Sequence, residues 1–146
     1  MSPSRRAAIA MSEAEVLAFL DRERVLTCAT LGSDGWPHLM PLWYVVRDGE
    51  CWAWTYAKSQ KVRNLERDAR CTLQVEAGDR YDALRGVMIK AAAAIHREPD
   101  VVLGVGRELA ARYGGGGEVD PREAAKRVAL QFVSSGVASF DHRKLG

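Results

Sequence analysis

The sequence predicts a mainly β protein, an antiparallel β-barrel or sandwich of six to seven strands with a few helices. Short apolar runs are separated by hairpin signals, at residues 32–35 and at Asp48-Gly49. Residues 70–76 alternate apolar and polar side chains with the two-residue period of a half-buried strand. No alternation of strands and helices accompanies a glycine-rich phosphate loop, which argues against a doubly wound nucleotide-binding fold.

Composition places the chain among ordinary globular proteins. Its 146 residues suit one domain with one core, and 47% of them are apolar. The net charge of +2, with acids interleaved among the bases, argues against a nucleic-acid-binding barrel. The three cysteines lie far apart in apolar runs, which indicates reduced thiols in a cytoplasmic protein rather than disulfides. We expect no metal site, since the three histidines form no ligand motif.

We expect residues 1–10 to form a flexible tail and residues 11–146 to form the single domain. The tail lacks the apolar stretch of a signal peptide or a membrane anchor, so no membrane partner is expected. Ser12 and Glu15 have the spacing of a capping box, which predicts a helix over residues 13–22.

Three strands should follow this helix, over residues 25–31, 36–47 and 50–56. Pro37 and Pro41 lie within the second of them, and neither can donate to a β-ladder. The second strand is therefore expected at an edge, at a bulge or beside a ligand.

The second half of the chain continues this pattern. We expect strands over 70–76, 83–98, 128–134 and 136–140, and helices over 99–113 and from Asp120. Gly86 marks a bulge or a close contact within the long strand. A tight turn at Ser135-Gly136 should separate the last two strands.

Residues 52–69 read as a strand that leads directly into a short helix. Ser59 is a good N-cap residue, and Lys58, Lys61 and Arg63 surround the first turn. Backbone N–H groups and the helix dipole favour anions at such a position, so a phosphate site is one interpretation. The alternative is an ordinary N-cap followed by a solvated, charged helix face.

Four segments resemble the motifs of flavin-binding split-barrel proteins related to pyridoxamine 5′-phosphate oxidase, including the branch that uses FMN or the deazaflavin F420. They are residues 27–38, 41–44, 59–70 and 139–144, in that order, and the resemblance covers about 14–144. Two positions depart from the motifs, since Ala69 stands where proline is common and Phe140 where tryptophan is usual.

The resemblance implies an FMN-binding type of split barrel that forms a homodimer, with cofactor sites at the interface. The cofactor phosphate would lie at the strand-to-helix junction and the ring along two strands, with the partner chain closing the site. The cofactor-binding positions that it implies are Met40, Pro41, Leu42, Trp43, Trp54, Thr55, Tyr56, Ser59, Gln60, Lys61, Asn64 and Phe140.

The activity that the resemblance implies is hydride transfer between FMN, or alternatively F420, and a small organic substrate. No catalytic side chain is required, because the cofactor carries out the chemistry. A non-catalytic carrier of flavin, F420 or haem is the alternative. Trp54 and Tyr56 suit core packing as well as ring contact, and His38 is either a proton donor or an ordinary strand residue.

Overall fold

The computed structural model describes residues 4–146, which form five α-helices and seven β-strands. The helices are α1 (Arg5–Ile9), α2 (Glu13–Arg22), α3 (Gln60–Arg67), α4 (Pro99–Arg112) and α5 (Pro121–Ala124). The strands are β1 (Leu26–Leu31), β2 (Pro37–Leu42), β3 (Val45–Arg47), β4 (Glu50–Tyr56), β5 (Arg70–Ala77), β6 (Arg85–His96) and β7 (Arg127–Asp141). None of these helices is long and apolar enough to cross a membrane.

All the strands belong to one antiparallel sheet, in the order β2-β1-β5-β6-β7-β4-β3. The edge strands β2 and β3 are consecutive in the chain, with only Trp43 and Tyr44 between them. Because so short a link spans about 11 Å at most, the sheet must curl until its two edges approach each other. The edges are not joined by a ladder, so the barrel stays split, which confirms the predicted fold class.

The strand predicted over residues 36–47 is therefore two strands, β2 and β3, at opposite edges of the sheet. The prolines are accommodated because β2 pairs only with β1, so half of its backbone groups need no partner. The hairpin predicted at Asp48-Gly49 joins β3 to β4, and both of its residues have the positive φ that such a turn requires, 51° and 79°.

The two faces of the sheet are covered differently. The inner face holds the main core, which includes Leu26, Leu73 and Phe132, each at most 1% exposed. The outer face is covered in one region by α4, whose Val102 and Val105 pack beside Trp52 and Trp54. The predicted strand-to-helix junction is confirmed, since α3 begins directly after Ser59. This helix buries Val62 and Leu65 against the main core.

Part of the segment that was expected to form the N-terminal tail is helical. Residues 5–9 form α1, capped by the hydroxyl of Ser4, and Ile9 is buried. The Lys144 ammonium donates to the carbonyl of Ala10 at 3.0 Å, which ties this segment to the end of the chain. The first three residues of the expected tail lie outside the described residues.

The predicted turn at Ser135-Gly136 was wrong, because β7 runs unbroken from Arg127 to Asp141. Its pairing with β6 shifts register there: Lys90 lies opposite Gly136, and Ala91 lies opposite Ser134. Ser135 is thus the extra residue of a β-bulge, which small polar residues favour just as they favour a turn.

Gly86 has the close contact that was one of its two predicted roles. A Cβ atom there would lie 2.9 Å from the ring of Phe140 and 3.1 Å from the carbonyl oxygen of Val75. A larger side chain would therefore separate β6 from its neighbours.

Candidate functional site

A group of polar side chains lies buried on the inner face, where α3 packs against β1 and β4. Its central members are Thr30, Thr55, Lys61 and Asn64, which are 1%, 8%, 6% and 0% exposed. We call these four residues the polar cluster. Thr55 faces inward because Ala53 and Cys51, its alternate neighbours on β4, are also buried in the core.

Lys61 is the charged member of the polar cluster. Its ammonium donates to the Thr55 hydroxyl at 2.9 Å, and no carboxylate within residues 4–146 forms an ion pair with it. Burial lowers the pKa of Lys61, while the nearby Cys28 acts in the opposite direction. An ammonium has three N–H donors, so this group has capacity left for an anionic oxygen.

Asn64 connects α3 to β1. Its amide nitrogen donates to the Thr30 hydroxyl at 3.0 Å, and its amide oxygen accepts from Gln60 at 2.9 Å and from Arg67 at 3.4 Å. The guanidinium of Arg67 also donates to the carbonyl of Leu31. Within residues 4–146, the side chains of this hydrogen-bonded group carry hydroxyls, amides and cationic nitrogens, and none is a carboxylate.

The edge strand β2 contributes the residues beside the polar cluster. His38, Met40 and Leu42 lie opposite Thr30, Cys28 and Leu26, so their side chains share the inner face. Met40 is nevertheless 45% exposed, because the split leaves the inner face uncovered there.

Two of the predicted ring-contacting side chains lie on the other face. Trp54 and Tyr56 alternate with Thr55 on β4 and point outward, where the Arg127 guanidinium lies 4.6 Å and 4.4 Å from their ring centroids. A ring that contacted these two side chains would be separated from Lys61 by the backbone of β4.

Trp43 also lies outside the barrel. Its ring stacks on that of Tyr113 with centroids 4.4 Å apart. Trp43 and Trp54 line a cavity of ≈ 500 Å³ beneath α4 and the glycine-rich loop that follows it. Two of the predicted aromatic residues therefore line a cleft that is distinct from the polar cluster.

The remaining predicted residues are scattered. The Ser59 hydroxyl caps α3 by accepting from Val62 N–H at 3.4 Å, as the N-cap prediction requires. Pro41 faces outward on β2. Phe140 lies roughly 35 Å further along β7 than Ala129, the residue that pairs with Trp54.

Sequence reasoning missed Thr30 and Arg67 as neighbours of the junction and gave His38 no binding role. A signal for Thr30 existed, since it follows Leu26 and Cys28 at the alternate, inward positions of β1. A polar residue at the end of such an apolar series indicates a buried polar partner. The position of His38 follows only from its pairing with Thr30.

The chain is thus a split antiparallel β-barrel with a buried polar cluster, which includes one cationic side chain, on its inner face. The chain belongs to the pyridoxamine 5′-phosphate oxidase family, whose profile matches residues 12–139. No curated protein sequence matches the chain.

Solved structures agree with the family. A conserved hypothetical protein from Mycobacterium tuberculosis is similar with a TM-score of 0.90 and 45% identity, over 99% of this chain and 93% of that chain. A protein named F420 reductase has a TM-score of 0.68 and 22% identity, over 83% and 94%. A FAD-binding protein from Mesorhizobium loti has a TM-score of 0.71 and 17% identity, over 89% and 94%. The last two likenesses concern the fold alone.

Proposed function

We propose that the protein is an oxidoreductase that holds the phosphate of FMN, or alternatively of F420, at the polar cluster and reduces a small organic substrate. The observation that carries this proposal is the burial of the Lys61 ammonium without a counter-ion among the described residues. A buried charge of this kind is costly unless it meets an opposite charge when the protein works.

The junction supplies further groups for a phosphate. The first turn of α3 presents backbone N–H groups and the positive end of the helix dipole next to Lys61. Asn64 and Gln60 are held in place by their mutual hydrogen bond of 2.9 Å. These residues fit the phosphate tail of a flavin or deazaflavin.

The ring would then extend along the inner side of β2, where Met40 is uncovered and Leu42 is half-buried. The cofactor supplies hydride exchange with the substrate. The protein binds it, orients it and limits the access of water. In this proposal only the backbone of Trp54 and Tyr56 forms a boundary of the site, because their side chains point outward.

A second copy of the chain is part of the proposal. The outer face carries Leu31, Leu39, Met88 and Val133, which are between 40% and 57% exposed. Exposed apolar patches of this kind are typical of protein interfaces. Phe140 alternates with the inward residues of β7 and therefore lies on the outer face, away from the proposed ring of its own chain, so it would act on the site of the partner. Light scattering should report a dimer, and a monomer would contradict the shared site.

FMN is our first choice and F420 the alternative. The family model is that of pyridoxamine 5′-phosphate oxidase, while the similar structures include one named F420 reductase and one FAD-binding protein. The polar cluster recognises the phosphate that FMN and F420 share, so it does not by itself separate the two cofactors.

The test begins with the absorption spectrum of the purified protein and mass spectrometry of any molecule that it releases. Titration with FMN and with F420 at about micromolar concentration should give a bound chromophore. Oxidation of the reduced cofactor by quinones, enones and biliverdin then measures turnover. Binding of neither cofactor overturns the proposal, and binding without turnover supports a carrier instead.

A further inference from the structure

The imidazole of His38 is the feature that the proposed phosphate site does not yet use. Its Nδ1 is buried and has no hydrogen-bond partner in the described part of the chain. Among residues 4–146 the only other buried side-chain atom without a partner is Nε of Arg85. Unpartnered buried polar atoms are rare in folded proteins, and they indicate a ligand or a water that completes the site.

The sheet register places His38 next to the polar cluster. His38 lies directly opposite Thr30 in the antiparallel pair of β2 and β1, so their Cβ atoms are about 4.5–5.5 Å apart on the inner face. The Thr30 hydroxyl already accepts from the Asn64 amide at 3.0 Å. His38 therefore borders the polar cluster through Thr30, on the edge strand β2.

The groups around His38 indicate which kind of ligand atom could bond to its Nδ1. Three nitrogen groups in and beside the polar cluster are donors: the Lys61 ammonium, the Asn64 amide nitrogen and the Arg67 guanidinium. No carboxylate forms an ion pair with Lys61 within the described part of the chain. A ligand rich in acceptor oxygens would use Lys61 and an Nδ1–H of His38 at the same time.

We infer that His38 donates a hydrogen bond from Nδ1 to the anionic end of the bound cofactor, as a specificity-determining residue on the opposite side of the phosphate from Lys61. This inference rests on the proposed function. It assigns β2 a polar role in addition to the apolar wall formed by Met40 and Leu42. The phosphate would be held between the edge strand β2 and the helix α3.

The experiment compares FMN with riboflavin, which lacks only the phosphate, by fluorescence titration of wild type, H38L and H38N. H38L should bind FMN about ten-fold more weakly, since a hydrogen bond to a charged group is lost. Its affinity for riboflavin should be unchanged. H38N should recover most of the FMN affinity, because an asparagine amide nitrogen can occupy the place of Nδ1.

His96→Asn is the matched control, because His96 bonds Gln131 at 2.9 Å, on a different part of the sheet. Equal FMN binding by H38L and wild type would overturn the role of His38 and leave the proposed function intact. Equal weakening of FMN and riboflavin would overturn it as well, because it would show a structural or ring-contacting role. A wild type that binds neither FMN nor F420 would remove the proposed function and this inference together.

If the wild type binds F420 and not FMN, the same variants are compared on F420 and on its phosphate-free chromophore. A loss of about ten-fold in H38L, confined to the phosphorylated ligand, supports the inference. An unchanged F420 affinity overturns it.

Discussion

The ammonium of Lys61 and the hydroxyl of Thr55 lie 2.9 Å apart on the inner side of the barrel. This bond spans the junction at which β4 ends and α3 begins, and both side chains are buried. A neutral hydroxyl satisfies one donor of the ammonium but does not balance its charge. Burial of this uncompensated charge should therefore lower the stability of the protein without ligand.

Lys61→Met should separate binding from stability. The variant should lose FMN affinity by about ten-fold or more, because a charged hydrogen bond to the phosphate is removed. Its free energy of unfolding without ligand should equal or exceed that of wild type by ~1 kcal/mol, since an uncompensated buried charge is replaced by an apolar chain of similar length. Fluorescence titration and urea denaturation measure the two quantities.

Lys58→Met is the matched control for this change. Lys58 is exposed and lies three positions earlier in the chain, so its removal alters net charge equally without touching the polar cluster. Its FMN affinity should stay within about two-fold of wild type. Equal losses in the two variants would indicate general electrostatic attraction rather than a specific site.

Asn64→Asp should place a negative charge where the phosphate is expected. The carboxylate cannot donate to Thr30, and it would repel the ligand while attracting the Lys61 ammonium. FMN affinity should fall by at least about ten-fold, and riboflavin affinity should change less. Gln74→Glu adds the same charge at an exposed position of β5 and should leave both affinities unchanged.

Gly106→Ala should destabilise the contact between α4 and the sheet. A Cβ atom at this position would lie 2.4 Å from the ring of Trp54, so the helix or the ring must move. Overpacking of this kind costs about 1–3 kcal/mol of unfolding free energy. Gly104→Ala, on the same helix, has Arg47 Nη2 as its nearest atom at 3.6 Å and should stabilise by about 0.5–1 kcal/mol. Similar effects of both substitutions in urea denaturation would contradict this packing.

The ion pair of Glu15 and Lys144 predicts a pH dependence. The bond from Lys144 and the N–H of Ser12 lower the pKa of Glu15 from 4.5 to about 2. Its contribution to stability is therefore complete above about pH 4.5 and is lost as the pH falls towards 2. The urea midpoint of wild type should exceed that of Glu15→Gln near neutral pH, and the difference should shrink through this range.

Glu13→Gln serves as the control for this titration, because Glu13 lies in the same helical turn and has no ion pair among the described residues. The midpoint difference between wild type and Glu13→Gln should not show the same decrease. A wild-type to Glu15→Gln difference that stays constant from neutral pH to about pH 2 would exclude the ion pair as its source.

Local sequence patterns were sufficient to predict most of the helices and strands. The capping box at Ser12, the Asp48-Gly49 hairpin and the alternation of β5 each depend on residues within a few positions of one another. The same local reasoning failed at Ser135, because a bulge and a turn favour the same residues and differ only in what the neighbouring strand does. It also gave no signal for the helix at residues 5–9, which contacts the other end of the chain.

By itself, the sequence determined the strand-to-helix junction, the residues Ser59, Lys61 and Asn64 within it, and the class of fold. Only the tertiary structure decided that Lys61 is buried without an ion-pair partner among residues 4–146, that His38 faces Thr30, and that Trp54 points away from both. The physical reason is that sequence periodicity determines which side chains share a face of a strand. Sheet curvature and register determine which side chains of other elements contact that face.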